Sequence, residues 1–247
     1  MIINTSKSEI PFNNSIINQL YNKALESVIE NKLAATILKS NKMITKPYCN
    51  SLSTLEKETN MASLHAEAHA IIKYYGKSFY YNKNKDFVYL DEKKNKNIDL
   101  LVIRINKAGS TCNARPCYNC LNMMKAVGIK KVYYSITLMS DNNNNDYLPI
   151  KLICENVEDM ISIQTSAINR YLDFNYLDDF IKNKYYDNLL KKIFPSYIKI
   201  NNLNYFIEFN LIKILPDYQA KIINEKGNKY VYILNNNNNI IVKANII

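Results

Sequence analysis

Tryptophan is absent from this 247-residue chain, glycine occurs four times and histidine only twice. Arginine is nearly missing as well, with Arg104, Arg115 and Arg170 the only three among 32 basic side chains. Against 22 acids the formal charge is +10, so the excess is carried almost wholly by lysine. Guanidinium is the planar fork that grips phosphates and base edges, and a lysine surface without it is weak ground for specific nucleic-acid recognition. No apolar run approaches the ~18 residues that cross a bilayer, which excludes a helical membrane span. The opening MIINTSKSEI has neither a basic start followed by an apolar core nor an arginine-rich amphipathic stretch. No secretory or organellar address is therefore expected, and the protein is expected to remain in the cytoplasm. Five cysteines are an odd number for a disulfide framework, and in a long intracellular protein the C-x-x-C spacing more often serves metal or redox chemistry. What is present is a globular composition, 47% apolar and 22% charged, skewed toward Asn, Ile, Lys and Tyr, with asparagine runs at 142–145 and 235–239.

The spacing of Ile16, Ile17, Leu20, Ala24, Leu25, Val28 and Ile29 predicts an amphipathic helix over 15–31 that packs on a sheet. Two short strands, 34–39 and 43–48, follow as a hairpin turned by Ser40, Asn41 and Lys42. Ser63 is placed to cap a helix over 64–75, with Gly76 as its terminator, so that His65 and Glu67 lie in the first turn. Residues 80–97 read as an exposed insertion and 98–105 as a buried strand. Pro116 suits the start of a second helix carrying Leu121, Met124 and Val127 and closed by Gly128. A strand over 132–137 then returns through the polar DNNNND tip to another over 148–154, a spacing that favours an antiparallel partner. The order predicts an α/β fold, a three-layer α/β/α sandwich around one mixed sheet, with 159–172 covering a further face. The domain is read as 1–175. Residues 176–247 form a small accessory module, a helix over 177–194 followed by strands over 205–214, 218–223, 229–234 and 240–246. The module has neither His nor Cys and offers little to a transition metal.

The two histidines, His65 and His69, lie four residues apart, and Cys112, Cys117 and Cys120 crowd one loop and helix start. A helix start presents free N–H groups and the positive end of the macrodipole, which favours thiolates at Cys117 and Cys120. One imidazole would complete a three-ligand zinc site. Three protein ligands leave a fourth position for a water whose pKa the metal draws toward ~7. Glu67, in the same turn as His65, is placed to move protons beside that water without ligating the metal. This is the division of labour that hydrolytic deamination needs, in which a poor amine leaving group departs as ammonia.

His65-Ala66-Glu67 with Pro116-Cys117-x-x-Cys120 resembles the H-x-E and P-C-x-x-C signature of the cytidine and deoxycytidylate deaminase superfamily. The resemblance covers roughly residues 15–155, and PCYNCLNMMKAVGIKKVYYS looks most like the deoxycytidylate-type members. It implies that His65, Cys117 and Cys120 hold Zn²⁺ and that Glu67 is the catalytic proton shuttle. It further implies that the Ala66 N–H meets the base carbonyl, the Arg115 carbonyl the departing amine, and Asn50 the sugar. In this family an antiparallel last strand pair goes with small-substrate enzymes, and polynucleotide editors usually insert a helix and run the strand parallel. Members commonly complete their pockets across subunits, so a homo-oligomer is implied too.

Alternatives stand beside each of these. His69 is either a fourth ligand that closes a structural zinc site or a packed core histidine. The Arg115 side chain either pairs with a substrate phosphate or anchors its own loop. For the protein as a whole the leading reading is zinc-dependent deamination of cytosine in a free nucleoside or nucleotide. The others are editing of a base in RNA or single-stranded DNA, and a non-catalytic zinc-stabilised scaffold.

Overall fold

The computed structural model describes residues 12–52, 63–76, 79–81, 87–89, 97–137, 150–164, 179–200, 203–204, 207, 211, 215 and 217–247. Its contacts group these into two compact units, residues up to 116 with 122–157, and 117–121 with 158–247. Among the described residues no helix is long and apolar enough to cross a membrane.

The first unit opens with α1, Asn14–Leu25, capped by the Asn13 side chain, which accepts from Ser15 N–H at 3.0 Å. Strand β1, Lys32–Lys39, then turns through Ser40 and Asn41, both at positive φ, into β2, Lys42–Met43. Two positive-φ residues give a two-residue hairpin the twist of its strands. The expected second hairpin strand is interrupted, pairing again only as β3, Tyr48–Cys49. Between the two pieces Thr45 replaces backbone pairing with side-chain bonds, its Oγ1 accepting from Ile37 N–H at 3.0 Å, and Pro47 has no N–H to give. Strands β4, Ser51–Leu52, and β5, Ser63–Leu64, pair with each other, so Ser63 belongs to a strand and does not cap the next helix. That helix, α2, is Ala66–Tyr75, with His65 at its cap position. Of the expected insertion, β6, Phe79–Tyr81, pairs with β7, Phe87–Tyr89, and most of the rest lies outside the described residues. Strand β8, Asp99–Ile105, is followed by the short β9, Thr111–Cys112, then α3, Tyr118–Ala126, β10, Lys131–Ser135, and β11, Leu152–Asn156.

The main sheet runs β11-β10-β8-β1, with β2 and β3 pairing β1 and β9 pairing β8. Strand β10 is parallel to β8 and antiparallel to β11, so the sheet is mixed and its last return is the antiparallel one expected from the DNNNND spacing. A parallel neighbour needs a crossover, which α3 supplies. Side chains of β1 and β8 alternate between two apolar faces. Ala34, Leu38, Leu101 and Ile103 meet Leu20 and Ala24 of α1. Ala35, Ile37, Leu100, Val102 and Tyr134, also fully buried, point to the opposite face. Helix α2 also contacts β1, and Tyr75 near its end donates to the Val127 carbonyl just past α3. The result is the three-layer α/β/α arrangement around a mixed sheet.

Helix α1 stops six residues short of its expected end, leaving Leu25 and Val28 exposed. The carbonyl of its last residue is taken by a side chain seven residues on. Lys32 Nζ donates to the Leu25 and Ser27 carbonyls at 3.0 and 2.6 Å, and Ser27 Oγ accepts from Ile29 N–H at 3.2 Å.

In the second unit, α4, Asp179–Ile193, precedes β12, Tyr197–Ile198, and a meander of β13, Gln219–Glu225, β14, Asn228–Leu234, and β15, Ile240–Ile246. Val231, Ile233, Val242 and Ala244 form one core with Leu190 and Ile163. The strand expected over 205–214 is not formed at its described positions. Leu203, Ile207, Leu211 and Leu215 recur every four residues, and Leu203 N–H bonds Lys199 O while Leu215 N–H bonds Leu211 O, as in a helix. Of 159–172, residues 159–164 are non-helical with Met160, Ile161 and Ile163 buried, and the remainder lies outside the described residues.

Candidate functional site

Two helix starts carry the candidate ligands. His65 sits where α2 begins, in extended backbone, and its carbonyl accepts the first helical bond from His69 N–H at 2.9 Å. Its side chain makes no capping bond to the helix. Cys117 stands immediately before α3 and its carbonyl accepts from Leu121 N–H at 2.9 Å; Cys120 lies one turn in. Both cysteines are buried, at 6% and 1% exposure. The ligand atoms of His65, Cys117 and Cys120 lie within 4.8 Å of one another. Among the described residues this is the only group of three or more such side chains.

The donor set fits zinc. Two thiolates and an imidazole suit a borderline-soft cation, and their ligand atoms already lie close enough together to share one ion. Deprotonated sulfur at the first turn of α3 gains from the helix N-terminus, which favours the charged form.

His69 is not part of the group. Its Nδ1 lies 3.0 Å from the Cys49 carbonyl and its ring stands against Tyr48 at 4.9 Å. Burial lowers its pKa below the ordinary histidine value against the opposing bond to Cys49, and Lys73, Lys23 and Lys46 add to the lowering. It is a half-buried packing residue, and the four-ligand closed site loses its fourth member.

Glu67 is 2% exposed in the first turn of α2, outside the ligand group. Ala66, fully buried, is the first helical residue. N–H groups there have no partner inside the helix and are the donors a ligand meets. Asn50, 6% exposed, follows β3. Its Oδ1 accepts from Leu33 N–H at 2.9 Å and its Nδ2 donates to Asn31 O at 2.6 Å, fixing the amide plane and leaving one further lone pair and one further N–H.

Of the two roles open to the Arg115 side chain, the structure shows the anchoring one. Nε and Nη2 donate to Glu155 at 3.0 and 3.2 Å, and Tyr134 donates to the same carboxylate. The guanidinium is thus neutralised in the interior. Sequence reading missed Glu155 and Tyr134. The only available signal was an acid within the short strand LICEN, and nothing local marks it as facing inward.

Comparisons of this sequence and structure with protein-family models, curated proteins and solved structures return no match.

Proposed function

We propose that the protein is a zinc-dependent hydrolase that removes the exocyclic amine of cytosine in a free nucleoside or nucleotide. One observation carries the reading: an imidazole and two thiols whose ligand atoms lie within 4.8 Å, with a buried carboxylate, Glu67, two residues from the imidazole. Zinc bound there would supply Lewis acidity and one open position for a water of lowered pKa. The Glu67 carboxylate then takes a proton from the attacking water and delivers it to the ring nitrogen beside the reacting carbon. A second transfer through Glu67 protonates the amine, so the C–N bond breaks to release ammonia as the carbonyl forms. The Ala66 N–H, at the start of α2, is the donor proposed for the base carbonyl, and the Arg115 carbonyl is the acceptor proposed for the amine. Asn50 offers its remaining donor and acceptor to a sugar hydroxyl.

The sheet supports a small substrate. Strand β11 returns antiparallel to β10, the arrangement that the superfamily resemblance associates with free nucleosides and nucleotides. The test is ammonia release from cytidine, deoxycytidine and their 5′-monophosphates by zinc-loaded protein, with Glu67→Ala as control. Zinc-dependent turnover of at least one substrate, abolished in the variant, is expected. Failure with all four, in protein carrying one zinc per protomer, removes the reading.

A further inference from the structure

Arg115 lies two residues before the candidate ligand Cys117, and strand β11 holds it from the sheet. The Arg115 and Glu155 side chains are 3% and 4% exposed, joined by two parallel hydrogen bonds, with Tyr134 as a third partner on the carboxylate. The antiparallel register sets Val132 opposite Glu155, so Glu155 and Tyr134 are diagonal neighbours on one face of the sheet. Two more bonds tie the same loop to β10: Ala114 N–H donates to Ser135 O at 2.8 Å, and Ser135 Oγ donates to Cys112 O at 2.7 Å. A buried ion pair adds little net stability over apolar side chains of the same volume, because desolvation offsets the attraction. Its distinctive product is geometry, since a fork against a carboxylate fixes both distance and plane. Only Pro116 separates this anchor from Cys117, and its ring fixes φ, so the orientation imposed on Arg115 passes down a stiffened backbone to the ligand.

We infer that Glu155 is a positioning residue for the metal site, acting through Arg115 to hold Cys117 where it meets His65 and Cys120. This rests on the zinc half of the proposed function and is independent of whether cytosine is the substrate.

The experiment strips and reloads the full-length protein. It measures Zn²⁺ affinity by competition with a chromophoric chelator, and metal geometry from the absorption spectrum of the Co²⁺-loaded form. Glu155→Gln is expected to weaken zinc binding by about 10–100-fold, the usual effect of removing a group that orients a ligand, and to alter the Co²⁺ spectrum. Tyr134→Phe is expected to move both in the same direction by less. Glu30→Gln, which breaks an exposed pair with Lys107, is expected to change neither. The double variant Arg115→Met with Glu155→Leu separates positioning from packing. Thermal stability near wild type with metal binding still weak supports positioning, and recovery of both together overturns it. The inference is also overturned if folded Glu155→Gln and Tyr134→Phe bind zinc as the wild type does with unchanged Co²⁺ spectra. Should Glu155→Gln not fold, Tyr134→Phe decides by the same criteria. Wild-type protein that takes up no zinc would instead remove the metal reading itself.

Discussion

Glu67 places a carboxylate at 2% exposure in the first turn of a helix. The proposed function makes Glu67 a proton shuttle, a role worth about 10²–10⁴ in rate, so Glu67→Gln should lower turnover by that factor. Zinc content, measured by mass spectrometry of metals, should stay at the wild-type level, because Glu67 is outside the ligand group. A fall in both would make Glu67 a structural residue. His65, Cys117 and Cys120 were legible because the sequence holds only two histidines and one C-x-x-C, so few groupings were possible. Glu155 was not legible, since its inward direction depends on a register with β10 set across a long connection. A second residue-scale prediction concerns pH. Hydrogen bonds from Lys243 and Tyr232 hold the Glu225 carboxyl below the ordinary glutamate value. A carboxyl whose folded pKa is depressed contributes stability that is present above its unfolded value, about 4.5, and is lost as pH falls through the folded one. Urea denaturation across the acid range should therefore show a shallower decline for Glu225→Gln than for wild type. The difference should be small, since the pair is solvent-exposed and screened.

Helix α1 is held by one face. Leu20 is fully buried against β1 and β8, so Leu20→Ala should cost about 2–5 kcal/mol in chemical denaturation, the range for emptying a packed leucine site. A cost below ~1 kcal/mol would mean that α1 is not part of the cooperative unit. The turn after β8 depends on Gly109, at φ 80, where an added Cβ would lie 2.8 Å from Tyr21 Oη, the hydroxyl that donates to the Gly109 carbonyl. Gly109→Ala combines backbone strain with displacement of Tyr21, and a loss above ~1 kcal/mol is expected by the same measurement. Strands with strong alternation or a continuous apolar run, such as β8, β14 and β15, lay within a residue or two of their expected bounds. Elements whose ends are set by distant partners did not. Helix α1 ends where Lys32 caps it, and Ser63 is drawn from a cap into pairing with Leu52. The apolar residues over 203–215 satisfy both a strand-like run and a four-residue period, and local sequence does not choose between them.

At the scale of the whole molecule, the +10 charge invites a polyanion, but the two arginines among the described residues are otherwise engaged. Arg115 is buried on Glu155, and Arg104 Nη2 donates to Asn31 Oδ1. Arg170 lies outside the described residues. Lysine-borne attraction is sequence-independent and is lost steeply with salt. Titration of a labelled single-stranded RNA should accordingly give weak affinity at ~50 mM salt, no preference between sequences, and none measurable at ~200 mM. Sequence-selective binding that survived the higher salt would favour the base-editing reading. The metal supplies the last test, because ligation of the folded form alone must raise stability. If zinc binds the native protein and not the unfolded one, stability rises as RT ln(1 + [Zn]/Kd), about 2.7 kcal/mol at a hundredfold excess over Kd. Chelation should therefore lower the melting temperature of the wild type, and readdition of zinc should restore it. In Cys117→Ser, with one ligand removed, the zinc-dependent rise should shrink or vanish, while in Glu67→Gln it should match wild type. Stability and turnover then separate across the two variants: Cys117→Ser loses the zinc response and activity, Glu67→Gln activity alone. A protein in which zinc stabilises the fold and neither variant alters any turnover is a scaffold, and the same melting curves with their ammonia assays distinguish the two.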